Sequence, residues 1–290
     1  MKGAEVADAM KEKLIAEVKE INHCGMAPAL AIVRLGARPD DIAYERGVKK
    51  RFGEIGIEVQ VFDYPVNTKQ EEFLSEMDRI NRDDKIHGIL LFRPLPDHIS
   101  EDAVKRAILA EKDVDCQNPE NIAKVFAGDK SGFAPCTPEA VIEMLDHYKI
   151  ELKGKNIVVV GRSMVVGKPL SMLLLDRHAT VTICHTRTRE LEMICRNAEI
   201  LVAAAGKAGV IRGLHVGDGA VVLDVGINFN ESGKICGDVH FDSAVKKARY
   251  ITPVPGGVGA VTTLVLAAHV IRAAKRKCGL RDSASLSSSD

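Results

Sequence analysis

"NIVVVGRSMVVGKPLSMLLL", residues 156 to 175, is a β-branched run closed by a glycine, then a second glycine and an apolar segment of helical spacing. Ile157 to Val160 are apolar without alternation, which predicts a strand buried on both faces, as in a parallel sheet covered by helices. Gly161 ends the strand and Gly167 lets the next helix start close to it. The backbone amides between them can receive a phosphate at the helix N-terminus. The pattern is G-x-S-x-x-x-G, not G-x-G-x-x-G, but its place after a buried strand predicts a dinucleotide-binding turn.

Similar runs lie on both sides. "PALAIVRLG", "EVQVFDYP" and "HGILLF" precede residue 95, and "ATVTICH", "EILVAAAG" and "AVVLDVG" follow up to residue 226, alternating with helical patterns. That alternation predicts an α/β fold of two domains around a cleft: an N-terminal α/β substrate domain and a Rossmann-type parallel-sheet nucleotide domain. The boundary is expected near "CTPEAVIEMLDHY", with Thr137 as helix cap and Pro138 as the first helical residue. The expected domains are 1–137, completed by a C-terminal helix over 262–278, and 138–261. The Ser-rich stretch 279–290 reads as a disordered tail.

Forty basic residues balance forty acidic ones, so no long-range field draws the chain to nucleic acid or to an anionic membrane, and a phosphate-bearing ligand must be held by local groups. Small-molecule partners are expected. The seven cysteines form no C-x-x-C pair and follow no apolar N-terminal segment. This favours a reducing cytoplasm and argues against a zinc site or a disulfide framework. The histidines, His185 among them, show no metal spacing and read as structural. No apolar run reaches the roughly 18 residues of a membrane span.

After the strand "ATVTICH", a cofactor without a 2′-phosphate would usually meet an acidic residue. The sequence has Thr186, Arg187 and Thr188 instead, with Arg162 in the glycine turn. Guanidinium groups suit a phosphate dianion, so NADP is expected over NAD. The alternative leaves both arginines as solvated surface cations.

Several stretches, taken together and in order, resemble the methylenetetrahydrofolate dehydrogenase/methenyltetrahydrofolate cyclohydrolase family. They are "GILLFRPLPDHI", "EKDVDCQNPENI", "PCTPEAV", "VVVGRSMVVGKP", "VGDGAVVLDVGIN", "GDVHFD" and "YITPVPGGVGAVT". The resemblance implies a two-domain α/β homodimer that oxidises 5,10-methylene-tetrahydrofolate with NADP. In bifunctional members the methenyl product is then hydrolysed to 10-formyl-tetrahydrofolate.

On the family pattern Tyr44 and Asp115 are the catalytic residues, and Tyr44, Phe92, Pro94, Asp115, Pro255, Gly256, Gly257 and Val258 contact the folate. The cofactor falls to Gly161, Arg162, Ser163, Gly167, Thr186, Arg187 and Ile227, and no metal is implied. A carboxylate such as Asp115 can accept two adjacent donors from the amino-oxo edge of a pterin. Glycines in "PVPGGVG" let backbone approach flat rings. Without the resemblance, Asp113 and Asp115 would read as an ordinary loop-and-cap pair, and "PGG" as a turn.

The chain departs from the family at two positions. Bifunctional members carry a lysine four residues after the tyrosine, where this chain has Val48, and a glutamine beside the "PLP" turn, where it has Phe92. Residues four apart share a helix face, so Val48 is expected to face what Tyr44 faces. Attack of water on a methenyl cation needs a base, which a desolvated lysine can supply and valine cannot. Lys49 and Lys50 are rotated away from Tyr44, and Arg93 stays protonated. Three readings follow: a dehydrogenase with weak or absent cyclohydrolase activity; a fully bifunctional enzyme with a rearranged base; and a non-catalytic nucleotide-binding protein on the same scaffold.

Overall fold

The computed structural model describes residues 1–230 and 232–280. They form two compact units. One comprises Met10–Lys124, Lys130–Ala134 and the chain from Leu266 on; the other comprises Met1–Ala9, Val125–Asp129 and Pro135–Val265.

The unit built mainly on the first half of the chain contains most of α1 (Gly3–His23), then β1 (Ala29–Leu35), α2 (Pro39–Ile55), β2 (Glu58–Tyr64), α3 (Gln70–Arg82), β3 (Gly88–Leu91), α4 (Glu101–Ala107) and most of α5 (Pro119–Phe126). β1 lies between β2 and β3, parallel to both, and all of its residues are buried. Edge strand β2 is half-buried. Phe73, Met77 and Ile80, spaced by four and three on α3, close over Ile86, Ile89, Leu91, Val104 and Ile108. Each large side chain so buried contributes about 1.5–3 kcal/mol. β3 is extended by one parallel bridge, Ile89 to Asp113, in which the Ile89 N–H donates to the Lys112 carbonyl at 2.7 Å. That bridge ties the segment "DVDC" to the edge of the sheet.

In the other unit follow α6 (Cys136–His147), β4 (Asn156–Val160), α7 (Gly167–Asp176), β5 (Thr180–Cys184), α8 (Leu191–Arg196), β6 (Ile200–Ala203), β7 (Val221–Asp224), the hairpin β8 (Asn228–Phe229) and β9 (Ile235–Cys236), α9 (Phe241–Ala244), β10 (Tyr250–Ile251) and the start of α10 (Gly259–Lys277). Five strands make a parallel sheet in the order β10-β7-β6-β4-β5. Counted from β4 this is the doubly wound order 2-1-3-4-5, and its direction reverses between β4 and β6. In such sheets ligands bind at that reversal, outside the carboxyl ends of the strands. Val158, Val160, Leu201, Ala203 and Val222 pack with Cys184, Cys195, Ile211 and Ile251 in one core cluster.

Two local expectations are corrected. α6 begins at Cys136 with Pro135 at the N-cap and no side-chain cap, so Thr137 and Pro138 lie inside its first turn. Proline is tolerated there because first-turn amides have no acceptor within the helix. Gly279 and Leu280, assigned to the tail, instead finish α10: Gly279 has φ 69°, and the two amides bond to the Arg276 and Lys275 carbonyls. The rest of the expected tail, 281–290, lies outside the described residues. Among the described residues no helix is long and apolar enough to cross a membrane, and no group of His, Cys, Asp or Glu side chains could hold a metal ion.

Candidate active site

At the reversal point of the five-stranded sheet, the two motif glycines are demanded by close approach. A Cβ on Gly161, whose φ is 140°, would overlap the Ala204 carbonyl oxygen, and one on Gly167 would overlap the carbonyl oxygen of Gly161. Ser163 closes the turn: its Oγ accepts from Val166 N at 3.1 Å and its carbonyl from Lys168 N at 3.0 Å. No side chain caps α7. β4 and β5 run in register from Asn156 and Thr180 to Val160 and Cys184, and Gly161 N donates to Cys184 O at 2.8 Å. The turn bearing Arg162 therefore lies beside the turn bearing Thr186 and Arg187, and all three side chains are exposed. Beside them, His185 Nδ1 accepts from Arg187 N at 3.1 Å, and the His185 backbone N–H donates to Thr188 Oγ1 at 2.8 Å.

Ile227, beyond β7, is 68% exposed. After β10 comes the loop Pro253–Gly259, with a cis peptide between Val254 and Pro255. Pro255 and Gly256 are exposed and Val258 is buried. Gly256 has φ 98°, and a Cβ on Gly257 would overlap the Pro253 carbonyl oxygen, so the second and third residues of "PGGV" both require glycine. Gly3 N bonds to Gly256 O at 2.8 Å.

A cavity of about 640 Å3 opens at the opposite, amino-terminal edge of this sheet, lined by residues of 148–151, 196–200, 217–221 and Tyr250. It contains none of the predicted site residues. Its ion pair Lys155–Glu199 is internally satisfied, and the reversal rule favours the carboxyl edge.

In the first unit, the Tyr44 and Phe92 rings lie 5.6 Å apart at 39°. Tyr44 is 43% exposed, Phe92 6% and Val48 0%. The two residues, one turn apart on α2, differ in exposure: Val48 is sealed in the interior, whereas Tyr44 reaches the surface. Residues four apart on a helix are about 40° apart around the axis, enough to cross the edge of a packed face. Lys49 Nζ is bound to Glu45 Oε1 at 2.7 Å, and Glu45 Oε2 accepts from Arg34 Nε at 3.0 Å. Burial alone would raise the Glu45 carboxyl, but the hydrogen bonds from Lys49 and Arg34 outweigh it and hold the group below its ordinary range. A carboxylate so stabilised is a poor base. Arg93 pairs with Glu101 at 3.0 Å, and the peptide joining it to Pro94 is cis.

Asp113 and Asp115 take different parts. Asp113 is fully buried and accepts from Gln117 N and Asn118 N, each at 2.8 Å, and from Asn121 Nδ2 at 2.9 Å. Burial pushes its carboxyl up. It shapes the loop leading into α5. Half-buried Asp115 bonds to Gln117 Nε2 at 3.0 Å. Cys116 between them and Gln117 has φ 56°, a left-handed conformation uncommon outside glycine.

Two buried carboxylates outside the sequence-predicted site, Asp224 and Asp238, lie at the carboxyl edge of the five-stranded sheet. The available signal was a charged residue ending the apolar run "AVVLDVG".

A parallel-sheet unit with a glycine turn at its reversal point, on a chain that also carries a separate α/β unit, defines the class as a two-domain nucleotide-dependent enzyme. The family model of the tetrahydrofolate dehydrogenase/cyclohydrolase catalytic domain matches residues 1–115, and that of the NAD(P)-binding domain matches residues 135–278. The chain belongs to this family. It is 53% identical over 277 residues to the bifunctional protein FolD of Clostridium kluyveri, covering 96% of this chain and 98% of that one. Among solved structures, the FolD methylenetetrahydrofolate dehydrogenase/cyclohydrolase of Campylobacter jejuni is 39% identical with a TM-score of 0.93, covering 95% of this chain and 98% of that one. The Trypanosoma brucei enzyme, solved with NADP and an inhibitor, is 37% identical with a TM-score of 0.89, covering 96% and 97%. The chain is thus an oxidoreductase of tetrahydrofolate metabolism with NAD(P) as its cofactor.

Proposed function

We propose that the protein oxidises 5,10-methylene-tetrahydrofolate to 5,10-methenyl-tetrahydrofolate with NADP, and that hydrolysis of the product to 10-formyl-tetrahydrofolate is weak or absent. The dinucleotide supplies a nicotinamide carbon that accepts a hydride. The donor carbon is flanked by two nitrogens that stabilise the cation left behind, so the protein moves no proton in this step; it must align the two carbons. The proposed division of labour gives the folate to residues 1–137 with 262–278 and the cofactor to 138–261. Asp115 then holds the pterin, Tyr44, Phe92 and Pro94 flank it, and Pro255 to Val258 close on it. Gly161, Ser163 and Gly167 form the phosphate turn, Arg162, Thr186 and Arg187 read the 2′-phosphate, and Ile227 packs on the cofactor.

The observation that carries the hydrolytic half is the apolar pair at positions 48 and 92. Val48 is wholly buried, Phe92 stacks on Tyr44, and the neighbouring Lys49 is held by Glu45. None of the three can deprotonate a water beside Tyr44. The bifunctional reading is favoured by the name of the Clostridium kluyveri relative and requires a base elsewhere. Purified protein given preformed methenyl-tetrahydrofolate decides between them: decay of its absorbance no faster than the uncatalysed rate supports the proposal, and enzyme-dependent decay at the pace of cofactor reduction overturns it. Cofactor reduction itself tests the first half.

The reading also carries a homodimer, testable by sedimentation, and a cytoplasmic site of action. Seven cysteines without a disulfide are in keeping with the latter.

A further inference from the structure

Asp238 accepts hydrogen bonds from three successive backbone amides beyond β6: Ala205 at 2.5 Å, Gly206 at 2.9 Å and Lys207 at 2.9 Å. A fourth comes from Asn228 Nδ2, at the start of the β8–β9 hairpin, at 2.9 Å. Asp224, ending β7, accepts from Gly226 N and Asp238 N at 3.0 Å and from Val239 N at 2.8 Å, while its own amide donates to Thr252 Oγ1 at 2.8 Å. The two carboxylates interlock through glycines. A Cβ on Gly226 would overlap the Asp238 carboxyl group, and one on Gly237 would overlap that of Asp224. Each aspartate thus fills the space left by a glycine on the other's strand segment.

Burying two carboxylates this close together is costly unless every lone pair is used. An apolar pair could pack these segments, but it could not gather three consecutive amides. Of the segments being gathered, 205–207 follows β6 and flanks the reversal point, and the Ile227 loop follows the next strand, β7. The Ala204 carbonyl touches Gly161 of the phosphate turn, and the loop from Val225 to Asn228 presents the exposed Ile227. The Asp238 carboxylate thus bonds both to the turn after β6 and to the Asn228 side chain at the end of the Ile227 loop.

We infer that Asp238, held in turn by Asp224, is a positioning residue for the dinucleotide: it fixes the wall of the crevice at the carboxyl ends of β6 and β7 against which the cofactor lies. The inference rests on the reading of that crevice as the NAD(P) site. It concerns cofactor affinity and leaves the folate unit untouched.

The test uses the full chain and titrates NADP by calorimetry, with KM for NADP, KM for methylene-tetrahydrofolate, kcat and melting temperature measured alongside. In Asp238→Asn the shape is kept, but an NH2 replaces one acceptor and opposes backbone donors. The Kd and KM for NADP should rise about tenfold or more, with kcat at saturating cofactor and KM for folate within about threefold of the parent. Asn228→Ala cuts only the link between Asp238 and the Ile227 loop, and covers the case in which Asp238→Asn does not fold. It should raise the Kd for NADP severalfold with little change in melting temperature. If folded variants bind NADP as the parent does, the carboxylates are merely structural and the inference falls. If the parent binds neither NADP nor NAD, the reading of the crevice itself is overturned.

Discussion

The ring of Phe92 stacks against that of Tyr44 at 5.6 Å, and Phe92 lies almost wholly inside while Tyr44 reaches the surface. An aromatic pair of this kind contributes about 0.5–1.5 kcal/mol beyond its buried area. It gives Tyr44 an apolar partner at the position where the family resemblance implies a glutamine. Val48→Lys with Phe92→Gln should therefore raise hydrolysis of methenyl-tetrahydrofolate by about a hundredfold or more, the usual span of general-base catalysis. Cofactor reduction should survive. Val48→Lys alone should do less and lower the melting temperature, because it buries an ammonium without a polar neighbour. A parent protein that already hydrolyses the methenyl compound rapidly would carry its base elsewhere, and Lys50 would be the next residue to mutate.

Arg162 and Arg187 are exposed on neighbouring turns at the carboxyl edge of the nucleotide sheet. Replacing either by alanine should raise the KM for NADP about ten- to a hundredfold, the equivalent of a charge-assisted hydrogen bond of about 1.5–3 kcal/mol, and change that for NAD little. Parallel kinetics with the two cofactors check this. Equal losses would mean that neither arginine reads the 2′-phosphate.

Asp113 and Asp115 should separate cleanly. Asp115→Ala is expected to weaken folate binding while leaving NADP binding and the melting temperature nearly intact. Asp113→Ala strands the amides of Gln117 and Asn118, while the Asn121 side chain keeps the Ala110 carbonyl as an acceptor. At about 1–3 kcal/mol for each buried donor left unmet, it should melt several degrees lower. Calorimetric titration and thermal melts decide between the roles. If Asp115→Ala destabilises as much as Asp113→Ala, both residues serve the loop.

His87 should make the protein acid-sensitive. Its Nδ1 accepts from Ala29 N at 3.2 Å, its Nε2 lies 3.0 Å from Met26 Sδ, and burial, aided by Lys277 and Lys112, pushes its pKa down to about 4. Between that value and the ordinary imidazole pKa of about 6.5, the unfolded chain holds a proton that the folded chain refuses. Its contribution to stability is therefore complete above about pH 6.5 and is lost as pH falls towards 4. His87→Asn keeps an acceptor for Ala29 N and cannot titrate. Its melting temperature should fall less steeply over that window, and an unchanged slope would exonerate His87.

Much of this architecture is legible in local sequence because its causes are local. A four-residue apolar run such as Ile157–Val160 has one economical home, a strand covered on both faces. Gly161 and Gly167 mark a turn in which any side chain would collide with backbone. Helix ends are less legible: Pro135, not Thr137, occupies the cap of α6, because first-turn preferences differ by amounts that packing easily overrides.

By itself, the sequence determined the alternation of strands and helices, the glycine turn, the apolar residues at positions 48 and 92, and the resemblance that names the substrate class. Tertiary structure decided which of two near-identical aspartates builds the 113–118 loop, that Val48 is sealed while Tyr44 is not, and that Asp224 and Asp238 lock across the edge of the nucleotide sheet. The physical reason is range. A strand or a turn answers to neighbours a few residues away, whereas burial and the hydrogen-bond partners of a carboxylate depend on segments that meet only when the chain has folded, as residues 205–207 meet Asp238.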